Sequence, residues 1–184
     1  LGVVLAVWGT LGVLGLLGRA IITLTPKAVD AVAGGLSGLQ WAVLALWVAF
    51  MAYSEGYRGF QKKFSPLVGA RALALARHPT WLTGLLAPAF VMGLFQATRR
   101  RLIISWGVLS GVVVLVLLVR LLPQPWRGIV DAGVVIGLGW GALTLTIHVV
   151  RALWTGRPAI DPALPTSWSG PELAPDVMVQ PTGK

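Results

Sequence analysis

The side chains best suited to chemistry lie together in one short segment of the chain. Glu55, Tyr57, Arg58 and Gln61 supply a carboxyl, a phenol, a guanidinium and an amide. Near a membrane, such a group can hold a lipid headgroup or a polar substrate. A glutamate and an arginine three positions apart on a helix also form a simple ion pair. We therefore treat these four residues as a possible polar site, with the structural ion pair as the simpler alternative.

The remaining candidates for chemistry are few. The chain has no cysteine, which excludes disulfides, thiol nucleophiles and thiolate metal sites. His148 is a weak candidate to bind the metal of a haem or a chlorin, and a histidine hydrogen-bonded inside a helix bundle is the simpler expectation. The run Gly35-Leu36-Ser37-Gly38 matches the GxSG of intramembrane serine proteases, yet 23 glycines produce such matches by chance. No motif indicates a cofactor or a metal.

The overall composition points to lipid as the solvent for most of the chain. Hydrophobic residues make up 56% of the 184 residues and charged residues only 11%, whereas a soluble domain has about 25% charged residues. The 15 basic and 6 acidic residues give a net charge of +9. Because the basic residues lie mostly at the ends of apolar segments, we expect anionic lipid headgroups rather than nucleic acid as their partner.

Five apolar segments approach the length of about 20 residues that a helix needs to cross a bilayer. They cover residues 1–22, 31–56, 79–98, 102–122 and 129–152. They predict an all-α transmembrane bundle of four or five spans over residues 1–154. The first segment exceeds the apolar core of a signal peptide, so we expect a retained helix. Pro88 interrupts the third segment, which therefore either crosses the membrane or forms a re-entrant or interfacial element.

A basic segment at 57–78 mixes lysine and arginine with apolar residues. Long basic side chains can reach the headgroups from a segment that lies on the membrane surface, although a solvated loop is the alternative. If the third apolar segment does not cross, most basic residues fall on one side, which predicts cytoplasmic termini. The residues expected at lipid headgroups are Arg58, Lys62, Lys63, Arg71, Arg77, Arg99, Arg100 and Arg101.

Small residues recur at helical spacing in three of the segments, and such faces let helix backbones approach closely in lipid. The spacing does not distinguish contacts within the chain from contacts with another subunit. The expected helix-packing residues are Gly38, Ala42, Ala45, Ala49, Ala52 and Gly56 in the second segment, Gly107 and Gly111 in the fourth, and Gly133, Gly137 and Gly141 in the last.

After residue 154 the composition changes to proline, serine, threonine and glycine, which predicts an extended polar tail over residues 155–184. We expect a non-catalytic subunit or assembly protein of a larger complex in the bacterial inner membrane. Its partners would be other membrane subunits and anionic lipids, and its tail would be cytoplasmic. The first alternative is a small channel or transporter, which could be homo-oligomeric. The second is a membrane enzyme that acts on lipid through the polar segment around Glu55.

Overall fold

The computed structural model describes residues 1–165, and within that range all regular structure is helical. Helices α1, α6 and α7 are long and apolar enough to cross a membrane. Three helices meet this criterion, so the predicted count of four or five spans is not confirmed. The elements are α1 (Gly2–Ala33), α2 (Gly38–Met51), a π-helix (Ala52–Phe64), α3 (Ser65–Arg77), α4 (Trp81–Leu85), α5 (Ala87–Val91), α6 (Arg99–Val119) and α7 (Trp126–Thr155).

Helix α2, the π-helix and α3 follow one another without a break, because the joining residues Ala52 and Ser65 keep right-handed helical angles. We call this stretch, residues 38–77, the long helix. Its start is capped by Ser37, whose hydroxyl accepts a hydrogen bond from the Gln40 amide while the Gln40 side chain accepts one from the Ser37 amide. The reciprocal pair satisfies two amide groups that a helix start otherwise leaves free.

The long helix runs parallel to α7 over most of its length. The indole of Trp47 donates to the Val130 carbonyl at 3.1 Å, and Ser65 shares a hydrogen bond with Thr144 at 3.1 Å. The 19 residues from Trp47 to Ser65 thus lie beside only 15 residues of α7, from Val130 to Thr144. A π-helix holds more residues in each turn than an α-helix. The π-helical segment therefore absorbs the difference and keeps the two helices in register.

Helix α1 runs antiparallel to both and closes the bundle. A Cβ added to Gly2, at the start of α1, would meet the Ala76 carbonyl at the end of α3. A Cβ added to Gly128, near the start of α7, would meet Ala31 near the end of α1. Residues 65–75 of α3 are all buried, and the core around them contains side chains of α1, α5 and α7. A helix that is buried on every side occupies the centre of its fold. The buried residues 65–75 of the segment 57–78, which we expected at the membrane surface, thus lie in the centre of the bundle.

The segment 79–98 forms no single spanning helix. It contains the two five-residue helices α4 and α5, followed by turns in which Gly93 and Gln96 have positive φ. It packs against the first half of α1, where Pro88 would contact a Cβ added to Gly12. Its last residue, Thr98, donates its amide to the Ala163 carbonyl. The segment therefore starts after α3 and returns toward the same end of the bundle.

Helix α6 stands apart from the bundle. Only 6% of its most apolar 18-residue stretch is buried, compared with 39% of the corresponding stretch of α7. Its main attachments are hydrogen bonds from Ser105 to the Met92 carbonyl and from the Trp106 indole to the Leu94 carbonyl. Residues 156–165 follow α7 without helix or strand. Most of the predicted tail, residues 166–184, lies outside the described residues.

Candidate functional site

The polar segment around Glu55 lies on the π-helix and faces α7. The Glu55 carboxyl occupies the notch left by Gly137, since a Cβ there would lie 2.7 Å from Oε2. This buried Oε2 has no hydrogen-bond partner among the described residues. The expected ion pair is absent, because Arg58 is exposed and the described chain pairs only Arg127 with Asp131 within 4 Å. A π-helix changes the angular spacing of side chains, so two residues three apart no longer share a face.

The other two members of the predicted polar site do not converge on Glu55. Gln61 accepts a hydrogen bond from the Trp140 indole at 2.9 Å, which ties the π-helix to α7. Tyr57 stacks on Tyr53 with 6.0 Å between ring centres, and the Lys62 ammonium lies 5.2 Å from the Tyr57 ring. The segment therefore combines one isolated buried carboxyl with contacts that hold the helices together.

Three glycines of α7 form a row of notches for side chains of the long helix. Trp47 fills the notch at Gly133, Glu55 that at Gly137, and Phe60 that at Gly141. In each case an added Cβ would lie under 3.0 Å from the occupying side chain. These predicted packing residues are used inside the chain. Gly56 serves the same purpose from the other side, since it lies against the Trp140 side chain.

The other predicted packing faces have no partner helix within the described chain. Gly38, Ala42, Ala45 and Ala49 are exposed along α2, and Ala52 is half-buried. On α6, a Cβ added to Gly107 or Gly111 would meet no atom within 4 Å. Two small-residue faces therefore point away from the bundle.

Arg71 differs most from its expected place among the headgroups. It is fully buried in α3 and donates hydrogen bonds to four backbone carbonyls. The acceptors are Phe90 at 2.6 Å and Phe95, Gln96 and Pro162 at 3.0 Å each. Its guanidinium also lies 4.3 Å from the Phe90 ring centre. A buried arginine satisfied by carbonyl oxygens acts as a structural tie, here between α3, the segment 79–98 and the chain after α7.

The other basic residues that we expected at lipid headgroups lie at two levels along the bundle. Arg77 donates to the Gly156 carbonyl at the end of α7, while Arg99 and Arg100 are exposed at the start of α6. Arg101 is half-buried, and its Nε has no partner among the described residues. Arg58, Lys62 and Lys63 are exposed on the π-helix, beside the midpoint of α7 rather than its end. We call these last three residues the mid-bundle basic cluster.

His148 and Ser37 are too far apart for a serine–histidine pair. Trp47, ten residues after Ser37, already lies beside Val130. From Val130 to His148 is about 27 Å at 1.5 Å per residue. His148 Nδ1 lies 2.8 Å from the Thr144 carbonyl of its own helix. Residues 1–165 contain no group of three or more His, Cys, Asp or Glu side chains that could hold a metal.

Sequence reasoning missed the structural role of Arg71, although a signal was present. Its neighbours Gly69, Ala70, Ala72 and Leu73 are small or apolar in every direction around the helix. Such surroundings indicate a central helix, so an arginine within them must find its acceptors inside the protein.

The geometry thus contains helix contacts, a buried carboxyl and outward-facing basic residues. No protein-family model, curated protein or solved structure compared with the chain matches it.

Proposed function

We propose that the chain is a non-catalytic subunit or assembly protein of a larger complex in the bacterial inner membrane. The observation that carries this proposal is the mid-bundle basic cluster, which faces outward where lipid acyl chains would lie. Its cationic side chains require an acidic partner at that depth.

The depth of the cluster follows from the register of the long helix on α7. Helix α7 has 30 residues and a length of about 45 Å, so it exceeds the hydrocarbon core of about 30 Å. The long helix lies beside it from Trp47 to Arg77. If α7 crosses the bilayer, the long helix must cross beside it. We therefore propose four crossings, formed by α1, the long helix, α6 and α7.

At this depth, lipid alone does not solvate the cluster. The Trp140 indole, near the midpoint of α7, bonds to Gln61, which directly precedes Lys62 and Lys63. The headgroups lie about 15 Å away, half the thickness of the core. That distance exceeds the reach of a lysine side chain. Charged residues in membrane helices face protein or a water-filled cavity and pair with an opposite charge. No carboxylate of residues 1–165 lies within 4 Å of the three cations.

Two uncovered small-residue faces support docking to another membrane helix. Gly107 and Gly111 lie one turn apart on α6, which is almost free of contacts with the rest of the bundle. The exposed face of α2 begins at Gly38 and continues through Ala42, Ala45 and Ala49. Small residues spaced by four positions are typical of helix–helix interfaces in lipid. The proposed partner therefore supplies at least one transmembrane helix and an acidic side chain near the bilayer centre.

The distribution of charge also supports an orientation. One end of the bundle, where α3 and α7 end, carries Arg77, Arg151 and Arg157. The start of α6 lies at the same end and carries Arg99 and Arg100. The opposite end combines basic residues with Asp30 and Asp131. Basic residues in short loops favour the cytoplasmic side. We therefore propose that both ends of the helical region, and the tail after residue 154, are cytoplasmic.

A small channel or transporter is the second candidate, and Glu55 is the observation that favours it. An ionisable side chain within the membrane often belongs to an ion or proton path. The carboxyl lies in the notch at Gly137, and its buried Oε2 makes no hydrogen bond within the described chain. The lipid-acting enzyme receives less support, because Tyr57 and Gln61 point to other partners.

Purification from the native membrane in mild detergent, followed by mass measurement, tests the proposal. We expect a mass larger than that of the chain and its detergent, owing to a second protein. The variant K62Q/K63Q should reduce the recovered partner at least tenfold. The control R99Q/R100Q removes the same charge from exposed residues at the start of α6 and should retain it. A wild-type chain without any partner, or equal loss in both variants, would contradict the proposal.

A further inference from the structure

Two adjoining depressions on the outer surface near the end of α7 differ in character. The first has a volume of about 500 Å³ and a largely polar lining, with Pro66 at its inner end and Pro158 and Ala159 at its outer end. The second has a volume of about 410 Å³ and is lined almost wholly by apolar atoms, including those of Ile147 and Val150. They share Arg151 and Thr155 as a common wall. A continuous surface therefore changes from polar to apolar at Arg151.

The polar depression is cationic and lacks a described counter-charge. Arg151 and Arg157 are exposed within it, and His148 forms part of its wall. No carboxylate of the described residues lies within 4 Å of either guanidinium. Asp161, the nearest acid along the chain, accepts a hydrogen bond from the Ala163 amide instead. Two guanidinium groups that face one cavity favour an oxyanion, and phosphate oxygens suit their geometry best.

The local structure holds these cationic groups in place. Helix α7 ends at Gly156, whose positive φ of 64° turns the chain back toward α3. Arg77 donates to the Gly156 carbonyl and so fixes the turn that carries Arg157. The Thr144 carbonyl can only accept, so His148 Nδ1 must carry the hydrogen of their 2.8 Å contact. Nε2 is then the ring nitrogen left to interact with a ligand.

We propose that this pair of depressions binds an anionic phospholipid. The phosphate headgroup lies between Arg151 and Arg157, and an acyl chain follows the apolar depression along Val150 and Ile147 toward the bilayer centre. The site lies in the last three turns of α7 and the residues that follow, at the level where headgroups meet acyl chains if α7 crosses the bilayer. A soluble phosphate would use only the polar half. The inference does not depend on a protein partner, because the site is formed by this chain alone.

Native mass spectrometry of the full-length protein in detergent tests this site, with phosphatidylglycerol and phosphatidylcholine as the probes. We expect phosphatidylglycerol to bind at least tenfold more tightly than phosphatidylcholine. R151Q/R157Q should remove that preference. The control R19Q/R120Q also removes two exposed arginines, and it should change the affinity less than twofold. An unchanged affinity in R151Q/R157Q, or an equal loss in both double variants, would overturn the proposal.

Two further arms separate a lipid from a free anion. Ile147→Trp should fill the apolar depression and weaken phosphatidylglycerol at least fivefold, whereas Leu143→Trp, one turn earlier on the same helix, should not. Glycerol phosphate carries the same headgroup chemistry without acyl chains and should not displace the lipid at equal concentration. If glycerol phosphate competes as well as phosphatidylglycerol, the site binds a soluble anion and the lipid assignment is wrong.

Discussion

Replacing Gly133 by alanine should destabilise the bundle because Trp47 occupies the notch in α7. An alanine Cβ would lie 2.5 Å from Cδ1 and Nε1 of the indole and 2.9 Å from the Met51 side chain. The indole must then move and lose its 3.1 Å hydrogen bond to the Val130 carbonyl. Overpacking costs about 1–3 kcal/mol and a lost hydrogen bond about 1 kcal/mol, so we expect a loss of about 2–4 kcal/mol.

Gly139→Ala is the matched control on the same helix. A Cβ at Gly139 would meet no atom within 4 Å. Both variants exchange glycine for alanine inside α7, so any difference in helix propensity cancels between them. The difference in the free energy of unfolding then isolates the contact with Trp47, and SDS titration of the protein in mixed micelles measures it.

A double-mutant cycle with Trp47→Ala identifies the cause of the loss. Once the indole is removed, Gly133→Ala has less to displace, so most of its cost should disappear. Equal stability of Gly133→Ala and Gly139→Ala would refute the packing of the long helix on α7. A full cost in the Trp47→Ala background would show that the indole does not fill the notch.

Three further predictions concern single polar residues. Arg71→Met should lower the free energy of unfolding by about 3–5 kcal/mol and expose the segment 79–98 to proteolysis, because it removes four hydrogen bonds from a buried charged group. Stability and protease resistance equal to those of the wild type would contradict this prediction. Glu55→Gln should change the free energy of unfolding by less than about 1 kcal/mol, since no ion pair is lost, whereas Glu55→Lys should destabilise the protein strongly. A large loss of stability in Glu55→Gln, measured by SDS titration, would show that the carboxylate has a partner. Ser37→Ala should lower the free energy of unfolding by about 1 kcal/mol, because α2 loses its cap. It should not alter any hydrolytic activity of the purified protein, and loss of such activity would indicate that Ser37 acts as a nucleophile.

Apolar segments were enough to predict an all-helical protein with helices long and apolar enough to cross a membrane. The first, fourth and fifth predicted segments correspond to α1, α6 and α7. The GxxxG pattern could not show that Gly133 packs within the chain while Gly107 is left uncovered. That difference depends on where the connecting segments place each helix, which residue spacing does not encode.

The π-helix and the segment 79–98 were beyond the reach of pattern reasoning for different reasons. Apolar periodicity is read on the 3.6-residue repeat, so a stretch with i→i+5 hydrogen bonds leaves no recognisable trace. Such a stretch also turned Glu55 and Arg58 away from each other. In the segment 79–98, Pro88 signalled a break, but the positive φ at Gln96 gave no signal because glycine is the usual residue there.

Site-specific photo-crosslinking in native membranes tests the central claim most directly. Tyr53 is exposed on the π-helix, where its ring stacks on Tyr57 beside the mid-bundle basic cluster, and Trp8 is exposed on α1. With benzoylphenylalanine at position 53, we expect a discrete adduct with another membrane protein that is lost in the K62Q/K63Q background. The same probe at position 8 should react with lipid. If position 53 also yields only lipid adducts, the outward-facing cations have no protein partner and the proposed role as a subunit is wrong.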